Sequence, residues 1–281
     1  MLDLSDKLDL RWLAWVVADL RKTAPDTDLL LVGAVARDIL LSYAHGITLA
    51  RVTNDADVAF AAPSWEAFEA IRHHLLGSGL FEQPTGARHK LQHRSGVMID
   101  LIPFGGVERP NGKIAWPPEH DEVMGVLGFS EAQPSAIKVL LPEEQVTDVV
   151  ALPMLAVLKV FAWSERHLRA PRKDAADLHG ILSYYLDTGQ DDRIFNEAAH
   201  LLEAPDFDYR LAGAWLVGFD ARAIVNRHSN RSEQITEKLM NVLHEESDVD
   251  GPLNLAGEMS LFNPEFARRL LAAFLAGFQA K

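Results

Sequence analysis

Cysteine is absent from all 281 residues, so disulfides and thiolate zinc sites are excluded, and nothing asks for an oxidising compartment. Long apolar runs are missing as well. The most extended, such as Leu152–Trp163, fall well short of the roughly 20 residues a membrane helix needs. The first residues carry acids at Asp3 and Asp6 and no basic stretch ahead of an apolar one, which is not the pattern of a secretory signal. A cytoplasmic protein without membrane contact is expected. Basic charge is scarce: Lys and Arg total 27 against 40 Asp and Glu, a net charge of −13. Indiscriminate binding to nucleic acid, which needs a basic surface to displace counterions, is therefore disfavoured. Walker A, G-x-G-x-x-G, G-x-S-x-G and H-E-x-x-H motifs are all lacking. His73, His74, His89 and His93 do not share metal-ligand spacing, so a zinc hydrolase is not expected.

What is present reads as a folded chain, with 48% hydrophobic and 24% charged residues. Two local basic clusters stand out against the acidic whole: Arg88-His89-Lys90 with His93-Arg94, and Arg166-His167, Arg169 and Arg172-Lys173. Periodicity predicts a helix over 5–22, capped by Ser5 or Asp6, a turn at Asp26–Asp28 and a buried strand over Asp28–Gly33. A helix follows over Ala34–Tyr43, a strand over Val52–Phe60, and a helix over Ser64–Leu76 capped by Ser64. Arg88–Arg94 and Val97–Ile102 form a hairpin about a Ser95-Gly96 turn, and short strands are expected near Gly112–Trp116 and Ala136–Leu141. From Pro153 onward nearly every segment reads as helix: Pro153–Leu168, Lys173–Leu186, Ile194–Leu202, Tyr209–Val225, Ser232–Glu245 and Pro264–Gln279. The fold class is thus α/β (α+β), a head with a mixed sheet over residues 1–150 and a helical C-terminal domain over 151–281.

The chemistry concentrates in a few places. On a strand through Asn54-Asp55-Ala56-Asp57-Val58-Ala59-Phe60, Asp55 and Asp57 share a face while Ala56, Val58 and Phe60 turn to the core. Side-by-side carboxylates repel, and a cation between them is the usual reason they persist; an acidic strand edge is the plainer reading. Asp100 is the sole acid in the apolar run Val97–Ile102, where a carboxylate is costly without a cation or donors. Three such carboxylates on neighbouring strands can hold two Mg²⁺ ions. Gly33-Ala34, between a buried strand and a helix, lets the backbone approach a phosphate; the alternative is an ordinary strand-to-helix turn. Arg37-Asp38 is either a surface ion pair or a brace for that loop. Lys159 is the only charge in Leu152–Trp163, and either snorkels to water or meets an anion, with Arg166 two turns on along the same face. Asp174 and Asp177 share a face of the next helix, as caps or as groups orienting Lys159 or the substrate.

Taken in order, Gly33-Ala34, Asp55-Ala56-Asp57 and Asp100 resemble the polymerase β-like nucleotidyltransferase superfamily, and Val32–Asp38 is similar to the opening of its tRNA CCA-adding and poly(A) polymerase branch. Pro153–Leu178, with Lys159, Arg166, Lys173-Asp174 and Asp177, looks more like the AbiEii/AbiGii-type toxin nucleotidyltransferases of type IV toxin–antitoxin and phage-defence systems. The resemblance covers about residues 28–182. It departs from the pattern at Ala34, where Gly or Ser is usual, and in the 22 positions from Gly33 to Asp55, which imply an insertion at Ala44–Arg51. It implies transfer of a nucleoside monophosphate from an NTP to a hydroxyl, on a tRNA 3′ end or a protein. Asp55, Asp57 and Asp100 would bind two Mg²⁺ ions. Gly33, Ala34 and Lys159 would hold the triphosphate in a cleft between the domains, with Arg166, Lys173 and Asp174 completing the site. An antitoxin partner follows from the same resemblance. Two rivals stay open: adenylylation of a small molecule such as an aminoglycoside, and a non-catalytic relative that binds nucleotide or a partner.

Overall fold

A computed structural model describes residues 1–25, 27–49, 53–85, 89–228, 230–244 and 251–280. Asp26, Ala50, Arg51, Val52, Arg88 and Glu245, which the readings above include, lie outside the described residues. The chain is mixed α/β, with a mixed sheet and a helical C-terminal part. It divides into two compact units: Met1–Ile39 with Ala50–Ala151, and Leu40–Leu49 with Leu152–Lys281. A single cut near residue 150 therefore leaves out one short segment. Leu40–Leu49, read as the end of a head helix and part of an inserted loop, belongs with the helical unit.

The first unit is built on one eight-stranded sheet. Its strands are β1 (Leu2–Asp3), β2 (Leu29–Val32), β3 (Ala56–Ala62), β4 (Phe81–Glu82), β5 (Lys90–His93), β6 (Met98–Gly105), β9 (Ile137–Leu140) and β10 (Val146–Val149). They lie in the order β1-β9-β10-β2-β3-β6-β5-β4, and β7 (Lys113–Ala115) pairs with β8 (Val123–Gly125) in a separate ribbon. The centre of the sheet is mixed: β10 runs parallel to β2, β2 antiparallel to β3, β3 parallel to β6, and β6 antiparallel to β5. β3 and β6 are covered on both faces, which explains their near-continuous apolar sequences and the burial of Val58, Ala59, Phe60, Ile99, Leu101 and Ile102. Helices α1 (Arg11–Thr23), α2 (Gly33–Arg37), α3 (Trp65–Gly77) and α4 (Phe129–Ala132) accompany the sheet. Ser64 caps α3 as expected, accepting the Ala67 N–H at 3.3 Å.

Several expectations are corrected. The first helix begins at Arg11, after a 3₁₀ turn at Leu8–Leu10, and neither Ser5 nor Asp6 caps it. Ser5 is otherwise engaged: its N–H and hydroxyl both donate to Asp3 Oδ1, at 3.0 and 2.7 Å, closing a turn after β1. α2 lasts five residues and passes into a π-helical turn over Asp38–Tyr43. β3 begins at Ala56, so Asp55 immediately precedes the strand.

The second unit contains α5 (Leu152–Arg166), α6 (Lys173–Tyr184), α7 (Tyr209–His228), α8 (Ser232–Leu243), α9 (Pro252–Met259) and α10 (Pro264–Gln279). α7 and α10 pack backbone against backbone. A Cβ on Gly218 would stand 2.0 Å from the Phe274 carbonyl oxygen, and one on Gly277 1.9 Å from that of Trp215. The helix expected over Ile194–Leu202 is instead two 3₁₀ turns, Asp191–Phe195 and Ala199–Glu203. Arg193 donates to both Asp220 oxygens at 2.7 Å, tying the first of these turns down to α7. Among the described residues no helix is long and apolar enough to cross a membrane.

Candidate active site

Four neighbouring strands bring the sequence-marked residues of the first unit into one row. Val32 at the end of β2 is the register partner of Asp57 on β3, Asp57 is the partner of Asp100 on β6, and Asp100 is the partner of Lys90 on β5. Strands in a sheet are roughly 4.8 Å apart, and register partners share a face, so two carboxylates and an ammonium stand side by side. Asp57 and Asp100 are half-buried, while Asp55 is exposed just ahead of the strand.

Gly33 follows Val32 directly. Its φ of +69° lies in the left-handed region, and a Cβ there would sit 1.8 Å from Asp57 Oδ2 and 2.6 Å from Cγ. Only glycine leaves room for that carboxylate at this backbone conformation. The glycine therefore serves the acid as much as any phosphate. It also opens α2, whose first N–H groups point away from the helix without intrahelical acceptors.

Arg37-Asp38 is not a surface pair. Both side chains are nearly fully buried, at 3% and 2% exposure. Arg37 Nε donates to Asp38 Oδ1 at 2.9 Å, and Asp38 Oδ2 accepts the backbone N–H of Thr53 at 2.9 Å. The Thr53 hydroxyl in turn accepts the N–H of Asp55 at 3.3 Å. A buried ion pair thus braces the segment that delivers Asp55, and the brace is the reading of the two that the geometry selects.

Lys90 was legible only as a member of a basic cluster. In the structure its ammonium donates to Asp100 Oδ1 at 2.7 Å. Two further members of that cluster, His93 and Arg94, are engaged too. His93 Nε2 lies 3.0 Å and Arg94 Nη2 3.1 Å from Asp19 Oδ2, which ties the hairpin to α1.

The residues marked in the second unit form a separate constellation. Lys159 on α5 is 4% exposed, and its Nζ lies 3.0 Å from Asp174 Oδ1 and 2.5 Å from Asp177 Oδ2 on α6. Arg166 closes the group by donating to both Asp174 oxygens, at 2.6 and 2.7 Å. Burial alone lowers a lysine pKa, but attraction to Asp174 and Asp177 outweighs it here, so Lys159 is raised. Burial likewise works against the Asp174 charge, yet Lys159 and Arg166 hold that carboxyl at about 2. Asp174 and Asp177 are therefore the groups that orient Lys159. Lys173 is the first residue of α6, and Arg172 precedes it with a left-handed φ of 66°.

Three oxygen acids are the donor chemistry of a hard divalent cation such as Mg²⁺. Asp57 and Asp100 fit it by adjacency, and the side-chain-free space at Gly33 keeps the Asp57 carboxylate in place. Among the described residues, however, no group of three His, Cys, Asp or Glu side chains is drawn together as an ion cage. Asp55 stands ahead of the strand, and Lys90 holds one oxygen of Asp100.

No protein-family model and no curated protein matches this chain. The functional reading therefore rests on the row of residues itself.

Proposed function

We propose that the first unit is the catalytic head of a nucleotidyltransferase of the polymerase β type, passing a nucleoside monophosphate from an NTP to a hydroxyl acceptor. The observation that carries the reading is the placement of Asp57 and Asp100 on adjacent strands beside Gly33, which follows β2 and opens a helix. The resemblance noted in the sequence named these same residues from motif order alone, and strand pairing supplies their neighbourhood independently.

In this reading Asp57 and Asp55, with Asp100 beside them, are the carboxylates toward magnesium, which when bound supplies charge stabilisation to the phosphates. The N–H groups at Gly33 and Ala34 face the triphosphate at the start of α2. Asp100, through the oxygen that Lys90 leaves, accepts the proton of the acceptor hydroxyl. The hydroxyl oxygen bonds to the α-phosphorus, the α–β bridging P–O bond breaks, and pyrophosphate departs. Arg37 and Asp38 hold the Asp55 segment still without touching substrate. The proposal needs only residues of the first unit. In the second unit the Lys159 ammonium is already matched by two carboxylates, so it is assigned no triphosphate contact here.

The basic clusters give little support to an RNA acceptor, because Lys90, Arg94 and Arg166 are each paired with an acid of this chain. Incubation with each α-phosphorus-labelled NTP, magnesium, total tRNA and cell-extract protein tests both activity and acceptor. Label on tRNA or protein that falls at least ~100-fold in Asp57→Asn, the loss of several kcal/mol of transition-state stabilisation, supports the proposal. If label reaches neither, and no added small hydroxyl compound takes it either, the head is not a transferase. A toxin role carries its own test: growth arrest on expression, relieved by Asp57→Asn.

A further inference from the structure

The second basic cluster of the sequence, residues 166–173, occupies the turn between α5 and α6, and no acid falls within it. Arg166 is spent on Asp174. Among the described residues, the side chains of Arg169, Arg172 and Lys173 meet no acid, and Leu168 stands beside them at 80% exposure. The turn is nevertheless held. The N–H groups of Arg169 and Ala170 both donate to the Arg166 carbonyl at 2.9 Å, and the His167 ring stacks on buried Trp163 with centroids 4.5 Å apart. Glu258 of α9 fastens the far end: one of its oxygens accepts the Arg172 N–H at 2.8 Å and the Trp163 indole N–H at 3.0 Å. The same contact sets the end of α9 beside the turn. Leu261 and Phe262 follow α9 closely, exposed at 61% and 100%. Single exposed apolar residues are ordinary on a protein surface, but three beside uncompensated cations are not.

We propose that this surface docks an acidic protein segment, one that carries a large apolar side chain among its carboxylates. Charge complementarity supplies the carboxylates: three cations within five residues lack local acids in a chain whose net charge is −13. Leu168, Leu261 and Phe262 decide for protein over nucleic acid. Aliphatic side chains bury against other side chains, whereas a sugar-phosphate backbone offers them nothing, and the acidic chain as a whole repels a long polyanion. Trp163, His167 and Glu258 fix the turn beforehand, so docking costs little ordering on this side of the interface. The cations steer the segment in, and the apolar side chains hold it. The proposal is independent of the reaction assigned to the first unit.

Fluorescence anisotropy of a labelled peptide, a short run of glutamates interrupted by one leucine and one phenylalanine, tests this on the full chain at low ionic strength. Saturable binding is expected, at least ~10-fold weaker for Arg169→Glu/Arg172→Glu and for Leu168→Ser/Phe262→Ser. Arg21→Glu/Lys22→Glu makes the same change in net charge at exposed cations of α1, and should leave binding unchanged. All the substituted side chains are exposed, so circular dichroism and melting temperature should match wild type. If the α1 variant weakens binding as much as Arg169→Glu/Arg172→Glu does, only net charge is being read and the proposal falls. It falls as well if the peptide does not bind, or if binding ignores Leu168→Ser/Phe262→Ser. A labelled oligouridylate of equal charge that binds more tightly than the peptide makes this a nucleic-acid surface, and overturns the proposal too.

Discussion

The two units each contain a lysine set against aspartate, and the two pairings differ in almost every respect. Lys159 is 4% exposed, with Asp174 and Asp177 each at 1%, whereas Lys90 and Asp100 are 38% and 28% exposed. The buried group has two carboxylates for its ammonium and a second cation, Arg166, to complete the charge balance. The exposed group has one carboxylate for its ammonium and a further acid, Asp57, in the next strand. A buried set must be closed, because any leftover charge would face a low-dielectric surround. A half-exposed set can stay open, because water screens the excess. Closure marks Lys159 as an organiser of its helix pair; exposure to water leaves the Lys90–Asp100 pair no such structural duty.

The contrast can be broken most forcefully in the second unit. Asp174→Ala leaves Lys159 and Arg166 short of their shared partner, and should cost about 3–5 kcal/mol of unfolding free energy, read as a fall in denaturant midpoint at unchanged slope. An unchanged midpoint would mean that the network is not the organiser described. Acid acts on the same group. The folded pKa of Asp174 is depressed to about 2, below the value of 3.8 for a free aspartate, so its contribution is fully present above pH 4 and is lost as pH falls through 2. That contribution is about 2 kcal/mol, and it should appear as a difference in acid sensitivity between wild type and Asp174→Asn.

In the first unit the effects on stability are smaller and those on function larger. Gly33→Ala places a methyl group on Asp57 and forces a left-handed alanine, costing about 1–2 kcal/mol and displacing the carboxylate. Thermal melting should register the first effect, and loss of Mn²⁺ binding the second. Lys90→Gln should move stability by less than ~1 kcal/mol. If it instead destabilises as strongly as Asp174→Ala, the two pairings are alike after all and the contrast fails.

Much of the head was legible because its signals are local. A four-residue apolar run ending in glycine, an acid-x-acid strand, a single acid in Val97–Ile102 and a Ser64 cap each need only short-range chemistry. Lys90 was not legible, for a definite reason. A two-residue turn at Ser95-Gly96 pairs position 90 with 101, opposite a leucine, whereas the observed turn pairs it with 100. One residue of register decides whether Lys90 meets a carboxylate, and sequence periodicity does not fix register to one residue. Ser5 misled for a similar reason: a good capping residue found a nearer acceptor in Asp3. Strands of two to four residues, such as β4, β8 and β10, carry too few positions for any alternation to be read. The Arg37-Asp38 brace depended on the distant Thr53 N–H, fifteen residues on.

The segment Leu40–Leu49 has a consequence for synthesis of the chain. Leu40 and Leu41 are buried, and Leu41 and Leu49 lie against Gly180 of α6. These leucines leave the ribosome early, but their partners are more than a hundred residues downstream. At about 5–20 residues per second, an apolar strip waits roughly 7 to 26 seconds for its cover. While it waits, the first unit can complete its own sheet, since β9 and β10 emerge just before α5. On the ribosome the Leu40–Leu49 segment therefore waits for α6 after the strands of the first unit have emerged, and chaperone contact with nascent chains should peak between completion of β10 and emergence of α6.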